Sequence, residues 1–240
     1  MNTNPITKLL LTSTTLLMLL SPTLMRADNK SKIEDRLQNS GLVAKEAMGI
    51  ASKVPQKLLD KAYCVIIIPS VIKGAVGIGG SYGRGAMTCR SGEDFQGDWG
   101  APSMMALEGF SFGFQLGGQA TDFLFLVMNE RGARSILSSK VKIGGDMAAS
   151  VGPVGRDTQA NLDVYLRTSI LTYSRSRGLF AGVSLEGSTL RPDNKSNRVL
   201  YGKKIPAKDI VLNGEVATPV SAEKLLSTLN KHSVRTKASN

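Results

Sequence analysis

Six glycines in eighteen residues stand out in Lys73–Arg90, KGAVGIGGSYGRGAMTCR, directly behind the apolar run VIIIPSV. Glycine at that density can expose backbone N–H groups to a phosphate. A dinucleotide loop needs glycine at i, i+2 and i+5, then a helix. Gly77 and Gly79 meet the first two demands, but position 82 is Tyr82. A P-loop closes on Gly-Lys-Ser/Thr, and no such triplet follows. Nothing in RGAMTCR announces a helix. The pattern argues against a nucleotide loop and for a bent β-strand, with the Arg84 side chain as its one contact for a phosphate.

Other chemistries find no better footing. The sole histidine, His232, sits in a polar tail, which leaves a Ser-His-Asp or Cys-His set without its base. Cys64 lies in an apolar strand, a poor setting for a thiolate. Asp146 and Glu186 are isolated carboxylates within Gly-rich strands, expected to accept backbone or arginine hydrogen bonds rather than to form an acid–base pair. No spacing suits a metal ion. The sequence therefore reads as no enzyme, with no cofactor and no metal.

The basic residues are the better lead. The chain carries 30 Lys and Arg against 19 Asp and Glu, a formal net charge of +11. Such a balance favours a polyanionic partner. Aromatic residues are 5% and are not interleaved with the basic ones, which argues against a platform for single-stranded nucleic acid. The candidate lipid-binding side chains are Lys30, Lys32, Arg36 and Lys45 on an N-terminal helix, with Arg84, Arg175 and Arg177. Arg175 and Arg177 flank Ser176 and share a face if that segment is extended.

These side chains need elements to position them. Ile33, Leu37, Ala44, Met48 (or Ala47) and Ala51 recur at helical spacing over 30–52, a modestly amphipathic basic helix that either packs on the domain or lies at a membrane interface. Pro55 opens a second helix through Ala62. YCVIIIPS is a buried strand closed by its proline. Phe123 to Met128 is continuously apolar, hence covered on both faces. NERGARSILSSK is a short helix capped by Asn129. NLDVYLRTSILTYSRS alternates and reads as strand throughout. VKIGGDMAASVGPVGR and GLFAGVSLEGSTL supply further strands. Short helices are expected at 193–200, 207–212 and 221–231, the last capped by Ser221. Trp99 is expected half-buried at a turn. Glycines inside strands mark bulges or close backbone approach. The fold class is α+β, with helices at both ends of a strongly bent antiparallel sheet or partial barrel.

Residues 1–27 read as a secretory signal peptide, with Lys8 before an apolar core from Leu9 to Leu20 and a cut near Ala27. Residues 28–240 then form one domain, exported to the periplasm or secreted, and peripheral to a membrane. Two cysteines in an exported chain suggest one disulfide, Cys64 to Cys89, with two buried thiols as the alternative.

Several motifs in order resemble the SYLF domain, over about 33–213. They are YCVIIIPSVIKGAVGIGGSYGRG, Trp99-Gly100-Ala101-Pro102, SFGFQLGGQATDFLFLVMNERG, IGGDMAASVGPVGR and YSRSRGLFAGVSLEGSTL. The paired cysteines resemble an exported bacterial branch. The resemblance implies lipid binding without catalysis, which becomes docking on an anionic phospholipid surface of the cell envelope. Actin, bound by some members, is not an expected partner. The alternative is an envelope interaction protein that meets a protein partner through its Gly-rich sheet.

Overall fold

A computed structural model describes residues 29–49, 54–76, 78–92, 94–112, 119–154, 162–176, 179–185 and 187–233. The expected leader and Arg177 lie outside these residues. Helix α1 runs over 29–47. Ile33, Leu37, Val43, Ala44 and Ala47 are buried on it, so its apolar stripe packs on the domain. Gly41 costs the helix ~1 kcal/mol in propensity. It permits a close crossing, because a Cβ there would lie 2.9 Å from the Leu225 amide nitrogen. Helix α2 (Gln56–Lys61) follows Pro55, as expected.

The sheet comprises β1 (Cys64–Val76), β2 (Ile78–Cys89), β3 (Ser103–Phe112), β4 (Gln119–Val127), β5 (Val141–Lys142), β6 (Ala149–Val151), β7 (Ile170–Ser176), β8 (Leu179–Gly182) and β9 (Thr189–Pro192). Its order is β5-β9-β3-β2-β1-β4-β7-β6, with β8 also on β7. The pairs are antiparallel except β6 with β7, which are parallel. The sheet is thus mixed rather than wholly antiparallel, and it curls into a half-barrel.

Period-two alternation divides two cores. Val65, Ile67, Leu124, Leu126 and Leu171 face one, shared with α1 and α2. Ile66, Ile68, Phe123, Phe125 and Ile170 face the other. Helices therefore cover both faces, which accounts for the continuous apolar runs in β1 and β4. Each fully buried Ile, Leu or Phe contributes about 1.5–3 kcal/mol relative to an exposed one. Helix α3 (Glu130–Ser138) covers the second face, and the Gly132 amide donates to Asn129 Oδ1 at 2.8 Å, the expected cap. Helix α5 (Asn194–Tyr201) packs on the first face and α6 (Ala207–Val211) on the second. Helix α7 (Glu223–His232) completes the first.

Three expectations need correction. Leu162–Arg167 is a helix, α4, and only Ile170–Ser176 is strand. Leu162, Tyr165 and Leu166 also fit helical spacing, and so short a run does not separate the two periods. Ser221 lies in a 3-10 turn, Val220–Ala222, and does not cap α7. Pro69 does not close β1.

The strand passes Pro69 through a bulge. Registers with both β2 and β4 shift there, and Ser70 takes a φ of 50°. Proline has no N–H for the ladder, so a bulge is where a central strand tolerates it. The Ser70 amide donates instead to Asp122 Oδ1 at 2.8 Å. Glycines on β2 make room opposite. A Cβ at Gly85 would meet the Ile67 carbonyl oxygen at 1.9 Å, and one at Gly83 would meet Val71 Cγ2 at 2.5 Å. Before the bulge, at the start of β1, Cys64 is the register partner of Cys89 and is joined to it by a disulfide, closing 25 positions of chain.

Arg90 follows that bridge at 3% exposure. Its Nη2 donates to the Ser233 carbonyl at 2.6 Å and to Ser233 Oγ at 3.0 Å; its Nε donates to the Ala62 carbonyl at 3.3 Å. The guanidinium lies 4.5 Å from the ring centroid of Trp99. Trp99 is fully packed rather than half-exposed, and its amide donates to Asn230 Oδ1 at 2.9 Å. Burial nearby pushes the Asp60 carboxyl above its ordinary range.

Tyr173 is fully buried, and its hydroxyl has no hydrogen-bond partner among the described residues. Burial pushes that hydroxyl's pKa up. Tyr173→Phe removes an unsatisfied polar group without changing the ring. We expect it to stabilise the fold by ~1 kcal/mol. A higher denaturant midpoint at unchanged m checks this.

Candidate functional site

The basic residues singled out from sequence do not form one patch. Arg175 on β7 is register partner to Asp122 on β4. Its Nε and Nη2 donate to Asp122 Oδ2 at 2.8 and 2.6 Å, and its Nη1 pairs with Glu46 of α1. The same carboxylate receives the Ser70 amide of the bulge. Arg175 is therefore tied to three elements: a strand, the bulge through Asp122, and the N-terminal helix. Its guanidinium has a structural task and two anionic partners.

Arg84 projects from β2 toward Asp193, with Nε 3.4 Å from Oδ2, and bonds the Tyr82 hydroxyl. Asp193 also caps α5, accepting from the Ser196 amide at 3.1 Å. Arg36, on α1, feels the charges of both Arg84 and Asp193. Burial and the Arg84 charge hold its pKa below the usual arginine value. Arg36 and Arg84, both singled out from sequence, thus share the electrostatic surroundings of one carboxylate, Asp193. Lys30 pairs with Glu34 at 3.8 Å along α1. Lys32 and Lys45 are exposed on the same helix.

A convergence of cations lies elsewhere. A cleft of about 550 Å³ opens between the end of α3, the end of β9 and the α5–α6 connection. Lys140, Arg191, Lys195, Arg198 and Lys204 line it. At its edge Arg191 grips Glu108, with Nη2 and Nε at 2.5 and 3.1 Å from Oε1. Those bonds hold the Glu108 carboxyl below the ordinary glutamate range. Lys140 stands 3.8 Å from the other oxygen of Glu108. One signal was readable in advance: Lys195 and Arg198 are three apart on a predicted helix and so share a face. That the end of α3 would lie beside them follows only from the sheet order, which places β9 next to β3.

The isolated carboxylate Asp146 accepts the Lys142 amide at 2.8 Å. Among the described residues no three His, Cys, Asp or Glu side chains gather as a metal site. Both cysteines are oxidised in the disulfide. Among the described residues no helix is long and apolar enough to cross a membrane.

A family model described as "Ysc84: Las17-binding protein actin regulator" matches residues 108–232. The chain is 30% identical over 207 residues to the SH3 domain-containing YSC84-like protein 1 of Bos taurus, covering 83% of this chain and 59% of that protein. It is 31% identical over 204 residues to Protein YSC84 of Saccharomyces cerevisiae, covering 84% and 42%. An SH3 domain-containing protein of Schizosaccharomyces pombe is 32% identical over 206 residues, covering 84% and 46%. The chain spans about half the length of the curated relatives it matches. These descriptions overturn one expectation. The expected partner was an anionic phospholipid surface, with an envelope protein as the alternative and actin not expected, whereas the family is described by protein binding and actin regulation. The geometry gives a physical reason. The apolar stripe of α1 is buried, and Arg84 and Arg175 already hold carboxylates.

Proposed function

Because the chain belongs to the Ysc84 family, we propose that it is a non-catalytic domain that binds a protein partner of the actin-regulating kind. The observation that carries this is the family description, joined to a close relationship over 84% of this chain with a named yeast member. The fold supports it. The N-terminal helix packs its apolar face inward, which leaves a rigid body with charged outer surfaces rather than a helix ready to insert in a bilayer. The oxidised Cys64–Cys89 pair supports the further proposal that the chain is exported, since disulfides persist in oxidising compartments.

Co-sedimentation tests the binding proposal. The purified chain is spun with actin filaments and, separately, with phosphatidylglycerol vesicles. Pelleting with filaments alone is expected. Pelleting with vesicles alone, or with neither, rejects the protein-binding reading.

A further inference from the structure

We infer that the basic cleft beside α5 receives an acidic, partly apolar peptide segment of the protein partner; this rests on the protein-binding reading above. None of the residues lining the cleft is Asp or Glu. Five cations therefore share one concavity, with Glu108 the carboxylate at its edge. Lys195, Arg198 and Lys204 have no carboxylate partner among the described residues. Like charges held around a concave, low-dielectric wall focus their field outward and attract an anion.

The shape of the cleft selects among anions. Its floor is apolar: Leu137, Ile205 and Ala207 are buried there, and Pro192 and Pro206 join them. Pro192 and Pro206 bring no N–H donor of their own to these walls. The C-terminal end of α3 and the first residues of α5 and α6 all border the cleft, so the fields of the helix ends oppose one another and the side-chain charges decide. The cations instead stand on long side chains around the rim. Carboxylates spaced along a chain, with apolar side chains between them, match a charged rim over an apolar floor. A compact headgroup or free phosphate matches the rim alone.

The test uses a short fluorescein-labelled peptide of alternating Glu and Leu, read by anisotropy against the full chain. Binding is expected, weakened by added salt, and at least about tenfold weaker in Lys195→Glu/Arg198→Glu. Both residues are exposed, so a circular dichroism spectrum matching the wild-type chain is expected and checks that the variant folds. Unchanged affinity in the variant overturns the assignment. So does equal binding of a Glu–Ser peptide, or displacement by inorganic phosphate or phosphatidylglycerol vesicles, each of which marks a plain anion site. Filament co-sedimentation of the wild-type chain separates the two failures. If filaments bind and the peptide does not, the cleft assignment alone falls. If neither binds, the protein-binding reading falls with it.

Discussion

Gly85→Ala is expected to cost the fold more than about 4 kcal/mol, or to leave no soluble folded protein. The added methyl would lie 1.9 Å from the Ile67 carbonyl oxygen and 2.8 Å from Ile68 Cα. Both are backbone atoms of β1, the strand between β2 and β4. Neither can rotate away as a side chain can. Relief would require moving β1, and with it Ile66, Ile67 and Ile68, which fill both cores. Packing at interior density transmits that shift rather than absorbing it. Gly80→Ala is the control on the same strand. There the nearest atom is the Gly109 carbonyl oxygen at 3.8 Å, ordinary contact, and little loss is expected. Soluble yield and denaturant unfolding of the two variants decide the matter. Comparable stability would refute the account of β2 as a strand shaped around the β1 bulge.

Arg90→Met is expected to destabilise by roughly 3–5 kcal/mol, the range for deleting one member of a buried charged network. The thioether fills much of the same space, so the loss reports hydrogen bonds more than volume. It removes donors from the Ser233 and Ala62 carbonyls and from Ser233 Oγ, all at a buried site. It also removes the positive charge beside the Asp60 carboxylate, which burial already disfavours. The Trp99 ring loses its cation but keeps its packing. The effect should concentrate at the end of α7, where Ser233 is held. Faster amide exchange across Glu223–His232 than across β1 would show that. A uniform change, or none, would assign the work of holding the C-terminal helix to Trp99 and Asn230 instead.

Much of this architecture was legible because the residues involved act locally or by period. Asn129 caps α3 by its own side chain. The apolar runs of β1 and β4 announced a sheet covered on both faces. The cysteines announced a bridge, and the structure contains it. What escaped depended on non-local partners. Pro69 reads as a strand end until Asp122, fifty-two positions after Ser70, is seen to receive the Ser70 amide. Leu162–Arg167 is too short for alternation to exclude a helix. For the basic residues the sequence shows the charge but not its partners. Arg84 and Arg175 each hold a carboxylate in the fold. Their carboxylates, Asp193, Asp122 and Glu46, come from distant elements. The cleft cations were individually visible, but sequence spacing could not bring Lys140 to Lys195.

The sheet ends also bear on how a partner can attach. One terminal strand, β5, has two residues, while β7 is flanked on its outer side by β6 with three and β8 with four. An open strand edge recruits other chains by lending them its unpaired amides and carbonyls, and short edges are a common protection. Among the described residues, these end strands are too brief to template an added strand of ordinary length. Domains that capture a ligand by extending their own sheet need a longer run of free backbone. Under the protein-binding proposal, side chains on the outer helices and loops would then carry the association, and stacking of one copy on the next through these end strands is disfavoured.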